Sequence, residues 1–284
     1  KRRNNYKHLD IKGMDGTAFK FVMLDEFSKT VHFLDQFAAG SISIEKPIID
    51  PQMKDYYLLS SLIEESITSS QLEGATTTRD IAKKMIRENR APKNKSEQMI
   101  MNNYDAINFV RSVKNEKLSH ELIKEIHRII SKNTLDNHEK SGVFRNESDD
   151  IRIMTYDNEV IFTPPLFSEI ETRINELCSF ANDDNEKSFI HPVIKAVIIH
   201  FLFSYIHPFV DGNGRTARAV FYWYLLSQDY WLIEYLSISR LIIKSKVQYA
   251  NAYLFTELDE NDLTYFIKYH IRTIDLAFSS LKEY

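Results

Sequence analysis

Glycine and proline are scarce in this chain, seven of each in 284 residues, and there is a single cysteine. The shortage of Gly and Pro excludes a turn-rich all-β fold, which needs a chain reversal about every ten residues. Helix is the expected state. One cysteine excludes an internal disulfide and a Cys-rich zinc site; Cys178 sits in an apolar helical pattern and is expected in the core. Charge of one sign is lacking too, with 36 Lys and Arg against 40 Asp and Glu, a net of −4. The chain as a whole therefore offers no electrostatic footprint for nucleic acid, and the opening Lys1-Arg2-Arg3 reads as a solvated tail. No apolar run free of polar breaks is long enough to span a membrane, and no signal-peptide core follows the N-terminus. A cytoplasmic setting is expected, and the start at Lys1 without Met leaves an upstream segment or leader open.

What is present is ample core material. With 43% hydrophobic and 27% charged residues, the chain can fill one large domain or two ordinary ones. Residues 1–50 are hard to read; the spacing of Phe27, Val31, Leu34 and Phe37 predicts a helix closing at Gly40, before a looser stretch with Pro47 and Pro51. "DYYLLSSLIEESITSSQLEG" reads as an amphipathic helix over about 55–74, through Leu58, Leu62 and Ile67 to Gly74. "TTTRDIAKKMIREN" begins with capping residues and makes a short helix, and "RAPKNKSE" is a polar linker. Further helices are expected at about 96–114, 119–133, 166–182, 190–206, 213–228, 238–256 and 262–282. No internal repeat or low-complexity tract interrupts them.

One island stands apart. In "GVFRNESDDIRIMTYDNEVIFTPP", Ile151 and Ile153 alternate with Arg152 and Met154, and Val160 to Phe162 form a second β-prone run across Asp157-Asn158. A hairpin over about 151–162 is expected. Two strands alone are marginal in water, so this hairpin must lean on helices or be completed by another chain.

Two of the seven glycines fall in "HPFVDGNGR", residues 207–215. Before it, "IKAVIIHFLFSYI" is apolar nearly all round and suits a buried central helix. Pro208 disfavours helical geometry at His207, so that helix should end with the imidazole displayed at its exit. Asp211-Gly212 and Asn213-Gly214 are turn dipeptides, and helical spacing resumes from Arg215. A glycine loop running into a helix start gathers backbone N–H donors at the positive end of the helix dipole, a ready anion cradle. Arg215 and Arg218 lie one turn apart and can hold several phosphate oxygens. Asp211 is a hard oxygen ligand suited to Mg²⁺, which usually rides on a polyphosphate with one or two protein carboxylates. His207 can take a proton near neutral pH. Together these parts describe phosphoryl-type transfer from a nucleotide. Gly212-x-Gly214-x-x-Ala217 also fits the dinucleotide fingerprint, with Asp229 or Glu234 as ribose acid. That fingerprint requires a βαβ unit, and nothing strand-like follows.

The string from His207 to Arg218, HPFVDGNGRTAR, resembles the Fic family signature H-P-F-x-[DE]-G-N-G-R-x-x-R at every defined position. "GVFR" (142–145), the hairpin ending in "TPP" (163–165) and the helix leading into the signature extend the likeness over roughly 118–228. Ala217 stands where many members carry Gly. The resemblance implies a mostly α-helical Fic-type bundle with one β-hairpin flap, and a protein adenylyltransferase moving AMP from ATP to a Ser, Thr or Tyr hydroxyl with release of pyrophosphate. It implies His207 as general base, Asp211 as the Mg²⁺ ligand, Gly212, Asn213 and Gly214 as the α-phosphate anion hole, and Arg215 and Arg218 on the distal phosphates. Phe209 would anchor the loop, and the hairpin would pin a protein target by strand addition.

"SSQLEG" adds Ser69-x-x-x-Glu73-Gly74, which matches the family's inhibitory pattern [ST]-x-x-x-E-[GN]. The resemblance implies a glutamate that pairs with Arg218 and displaces the γ-phosphate. It divides the chain into an N-terminal region (1–117) carrying the inhibitory helix and a Fic core (118–284). Outside the motif, His127, His191 and His200 lack metal-ligand spacing and read as satisfied structural histidines. Tyr249 and Tyr253, one turn apart, could edge an adenine pocket or simply fill core. Two other activities stay open, removal of AMP or transfer of another nucleotide moiety, and so does a non-catalytic module that uses the hairpin for binding. Target and oligomeric state are not written in the sequence.

Overall fold

The computed structural model describes residues 5–38, 53–154, 160–183 and 189–282. The expected cap at Gly40, the Pro47 to Pro51 stretch, the Asp157-Asn158 turn and the Lys1-Arg2-Arg3 tail lie outside the described residues. In chain order the elements are β1 (Lys7–Lys12), β2 (Ala18–Phe21), α1 (Asp25–Ala38), α2 (Lys54–Leu72), α3 (Arg79–Arg87), α4 (Lys95–Ser112) and α5 (His120–Ser131). There follow β3 (Ile153–Met154), β4 (Val160–Phe162), α6 (Ile170–Asn182), α7 (Pro192–Ile206), α8 (Asn213–Ser227), α9 (Ser239–Ile242), α10 (Lys246–Leu258) and α11 (Thr264–Lys282). The fold is mostly α, as the composition requires.

α7 is the axis. Pro192 occupies its first turn, where no N–H is missed, and the His191 ring accepts from Val193 N at 3.2 Å. Val193 to Phe203 are buried without a break, so the helix must be surrounded. α6, α8 and α11 pack around it. Lys195 is buried with them; its Nζ donates to the Asp183 carbonyl at 2.6 Å and lies over the Phe180 and Tyr224 rings. One hydrophobic core runs from Leu9 to Phe278, and a smaller one joins Ile63 and Ile67 of α2 to Met85 of α3 and Ile100 of α4.

Two findings depart from the sequence reading. The N-terminal stretch holds a second hairpin, β1 paired with β2, ahead of the expected helix through Phe27 and Phe37, which runs from Asp25. Phe19 and Phe21 enter the core, and Lys20 exchanges backbone bonds with Asn261 O (3.1 Å) and Leu263 N (2.8 Å). That third partner segment makes so short a sheet viable. The helix expected over about 238–256 is broken into α9, a 3₁₀ turn at Ile243–Ser245 and α10. Ser245 Oγ bonds back to Leu241 O at 2.9 Å, the side-chain competition that disfavours continuous helix.

The hairpin expected over about 151–162 is present, with Ile153 opposite Phe162 and Met154 opposite Val160. It does lean on a helix: the Phe162 ring lies 5.3 Å from that of Tyr205 on α7.

Candidate active site

α7 stops where Pro208 forbids its continuation. His207 takes φ 49° and ψ 58°, the left-handed region, and its N–H still reaches Phe203 O at 3.1 Å. Such a backbone in a non-glycine residue costs roughly 1–3 kcal/mol and needs fixing from outside. Arg145, buried, supplies it. Its Nε donates to His207 O at 2.9 Å, its Nη2 to Ile206 O at 3.4 Å and to Pro165 O, and its backbone N to Pro208 O at 2.9 Å. The carbonyls that α7 leaves unpaired thus meet a cation.

The loop beyond is held from within and below. Asn213 accepts from Phe209 N at 2.9 Å and donates to Phe209 O at 2.8 Å, so its side chain serves the loop and its backbone N–H is left for an anion. Thr216 Oγ1 donates to Gly212 O at 2.8 Å. Gly212 has φ 81°, and a Cβ there would come within 3.3 Å of His127 Nε2. His127 fills the floor. Its Nδ1 accepts from Gly142 N at 2.9 Å, so the ring proton sits on Nε2 and goes to Asp211 O at 2.8 Å. The ring stacks on wholly buried Phe209, centroids 3.6 Å apart and planes within 3°. Burial drives the His127 pKa down to about 4, against the pull of Asp211.

α8 begins at Asn213, and its first-turn N–H groups have no helical acceptor. Arg215 and Arg218 rise from the same start, 1% and 4% exposed. Arg215 donates to Ile130 O at 3.2 Å, stands 3.9 Å from Asp211 Oδ1, and keeps a buried Nε without partner among the described residues. Asp211 is the exposed member; its Oδ1 accepts from Gly212 N at 2.6 Å. Among the described residues no group of three His, Cys, Asp or Glu could cage a metal. One exposed carboxylate beside two arginines instead fits a Mg²⁺ that keeps its waters and travels on a polyphosphate.

α2 brings the acid. Arg218 donates from Nε to Ser69 Oγ at 2.8 Å and from Nη2 to Ser69 O at 3.0 Å and Glu73 Oε1 at 2.7 Å. The Glu73 side chain is 31% exposed, so the pair is buried on the arginine side only. Burial alone would raise the Glu73 carboxyl, but Arg218, then Arg215 and His207, hold it below its ordinary value. Its carboxylate lies over the start of α8: a Cβ on Gly214 would collide with Oε1 and sit 2.9 Å from Cδ. Gly74, at φ 93°, ends the helix. Burial pushes the His207 pKa down to about 4, Arg145 adding to the effect while Glu73 and Asp211 oppose it. The imidazole is therefore a free base at neutral pH.

The structure thus brings Ser69, Glu73, Asp211, Gly214, Arg215, Arg218 and His207 to one place. Tyr249 and Tyr253 are partly buried and pack against the core: the Tyr249 hydroxyl meets His200 Nε2 and the Tyr253 hydroxyl, each at 3.1 Å, and Tyr253 donates to Ser204 Oγ at 2.9 Å. His200 is buried, and His191 donates to Asp35 Oδ2 at 3.0 Å, both structural roles. Sequence reasoning passed over Arg145 and Glu65. Glu65 is buried on α2, its carboxylate accepting from Ser239 N (3.0 Å), Ser239 Oγ (2.5 Å) and Ser237 Oγ (3.0 Å). A clue was available: Glu65, Ser69 and Glu73 recur every four residues, on one face of a helix. A groove of about 910 Å³ opens elsewhere, between β1 and α6, with Lys7 and Lys195 in its lining.

Comparison with known proteins converges on one family. Residues 117–225 match the model of the Fic/DOC family. A protein adenylyltransferase Fic of Nematostella vectensis is 26% identical over 205 residues, 69% of this chain and 42% of the relative. One from Drosophila virilis is 30% identical over 107 residues, 37% of this chain and 20% of the relative. The chain thus spans less than half of these curated relatives. Among solved structures, a Fic family protein from Desulfovibrio desulfuricans superposes with TM-score 0.70 at 17% identity, over 91% of this chain and 74% of its own. A Fic domain containing signaling protein from Bacteroides thetaiotaomicron gives TM-score 0.66 at 20% identity, over 91% of this chain and 98% of its own. At such identities the likeness is one of fold.

Proposed function

We propose, from the premise that this chain is a Fic family protein with its Fic/DOC domain at residues 117–225, that it transfers AMP from ATP to a hydroxyl of a protein and is held in check by its own α2. The observation that carries the reading is the meeting, at the start of α8, of a histidine held at the exit of α7, one exposed carboxylate and two buried arginines. The named activity of the N. vectensis and D. virilis relatives supports it.

His207 takes the proton of the incoming hydroxyl, a task that requires the neutral imidazole its burial secures. The first-turn N–H groups of Asn213 and Gly214 and the α8 dipole receive the α-phosphate. Arg215 and Arg218 hold the distal phosphates in a site of low dielectric. Asp211 would hold Mg²⁺, which supplies charge neutralisation on the polyphosphate. The β3–β4 hairpin presents exposed Met154, Val160 and Ile161 to an extended target segment.

Glu73 then acts as a latch, carried by the N-terminal part up to residue 117. Its carboxylate takes Arg218, the charge a γ-phosphate needs, and stands over Gly214. Removal of AMP is the second reading, favoured by one feature: Glu73 is partly exposed beside the cradle and could orient a water. Incubating wild-type and Glu73→Gly protein with α-labelled ATP, Mg²⁺ and lysate tests both. Strong covalent labelling by the variant is expected; release of AMP from modified protein by wild type alone would favour the second reading, and neither result would refute both.

A further inference from the structure

Arg145 stands outside the signature, yet its guanidinium meets carbonyls of two separate elements. Nε donates to His207 O at 2.9 Å, and Nη2 reaches Ile206 O at 3.4 Å and Pro165 O. Pro165 lies three residues past β4, and Ile206 and His207 form the end of α7. The backbone N of Arg145 adds a bond to Pro208 O at 2.9 Å, which fixes the guanidinium's own root to the same loop. Arg145 as a whole is 7% exposed, so water does not offer these carbonyls an equal substitute. The carboxylate that acts on it is Asp149, which is itself bound to Lys140.

We infer that Arg145 is a positioning residue that couples the β3–β4 hairpin to His207, so that the clamp for the target hydroxyl and the base acting on it move as one unit. The inference rests on the reading of His207 as base. A planar fork of fixed geometry can span the Pro165 carbonyl, on the strand exit just past β4, and the carbonyls at the end of α7 at once, which a lysine ammonium on a flexible stem cannot. The left-handed backbone of His207 makes the need concrete: it is the one strained joint between a rigid helix and the motif loop. With Arg145 gone, nothing else among the described side chains donates to the His207 carbonyl.

The test uses the full 284-residue chain, in a Glu73→Gly background, with Arg145→Lys and Arg145→Met added separately. Self-labelling from α-labelled ATP at saturation should fall by about 10²-fold in both, the size expected for a base displaced by about 1 Å. The KM for ATP should stay within about threefold, since no phosphate contact is touched. Lysine keeps the charge, so rescue by Arg145→Lys would overturn the inference in favour of a purely electrostatic role. Hydrogen exchange gives a readout independent of labelling: peptides covering 160–166 and 203–209 should lose protection together, those of α4 and α11 not at all. Unchanged exchange, loss confined to one of the two segments, or loss throughout the molecule would each refute the coupling. Should the Glu73→Gly parent transfer no nucleotide, the transferase reading fails, while the exchange result still decides whether hairpin and His207 are joined.

Discussion

Replacing Glu73 by glycine perturbs one bond whose surroundings permit an estimate. Arg218 is 4% exposed and loses the 2.7 Å bond from Nη2, but it keeps both bonds to Ser69. Breaking a fully buried pair from one side costs about 3–5 kcal/mol, and a hydrogen bond to a charged group contributes about 1.5–3 kcal/mol. With the Glu73 side chain 31% exposed, water can replace part of what is lost. The expected destabilisation therefore falls below the fully buried range, at about 2–3 kcal/mol, the upper part of the range for a charged hydrogen bond. At roughly 2 °C per kcal/mol for a chain of this size, the melting temperature should drop by about 5 °C without nucleotide. Activity should move the opposite way, with labelling at least about tenfold faster, because Arg218 and the space above Gly214 are released together. ATP at about 100 times its Kd should return about 2.7 kcal/mol to the variant and less to wild type, whose latch competes. Calorimetric melting with and without ATP, run beside the labelling assay, reads all three. An unchanged melting temperature with an unchanged labelling rate would refute the latch, and a lower melting temperature without faster labelling would reduce Glu73 to a structural tie.

The other expectations are more briefly stated. His207→Ala should lower transfer by 10²–10⁴-fold while ATP affinity measured by calorimetry stays within about threefold; a loss under tenfold would remove His207 from the role of base. Burial lowers the pKa of His127 to about 4, of His270 to about 3, and of His200 well below its ordinary value, the last with help from His270 and Arg218. As pH falls below about 6.5 the unfolded chain binds protons that the folded one refuses, so stability drops with acidity. Between pH 7 and 5.5 each of the three should cost about 1 kcal/mol, visible as a steep fall in melting temperature that a flat profile would contradict. Ile153→Pro, which removes a main-chain donor from β3, should impair labelling of protein targets more than ATP binding; equal losses would mean misfolding.

Much of this molecule could be read before it was seen, and the exceptions share a cause. α7 and the loop after it were legible because Pro208, Gly212 and Gly214 act locally, through backbone rules that need no knowledge of neighbours. The hairpin at β3 and β4 was legible for the same reason. β1 and β2 were not, since their pairing is stabilised by Asn261 and Leu263, some 240 residues away in sequence. Ser69 and Glu73 showed through a pattern, but the partial exposure of Glu73 depends on how α2 meets α8. His127 was expected to be a satisfied structural histidine, and it is a buried one with both ring nitrogens bonded. That it carries the floor of the motif loop follows from packing against Phe209, which spacing along α5 does not reveal. Arg145 was hardest: its value lies in three carbonyls that only the folded chain brings together.

The missing Cβ at Gly214 sets up an exclusion with a reciprocal consequence. The volume it leaves is already claimed by the Glu73 carboxylate, and on the proposed reading it is also part of the nucleotide's path. Two occupants of one space are thermodynamically linked: if seating α2 weakens ATP by some factor, ATP must weaken the seating of α2 by the same factor. On that reading, sensitivity to nucleotide concentration would be built into a helix that need never touch the reacting atoms. Any partner that draws α2 away through its exposed Tyr56 and Leu59 would tighten ATP without contacting it. A tenfold gain in ATP affinity would correspond to about 1.4 kcal/mol of pull on the helix, well within reach of an ordinary protein contact.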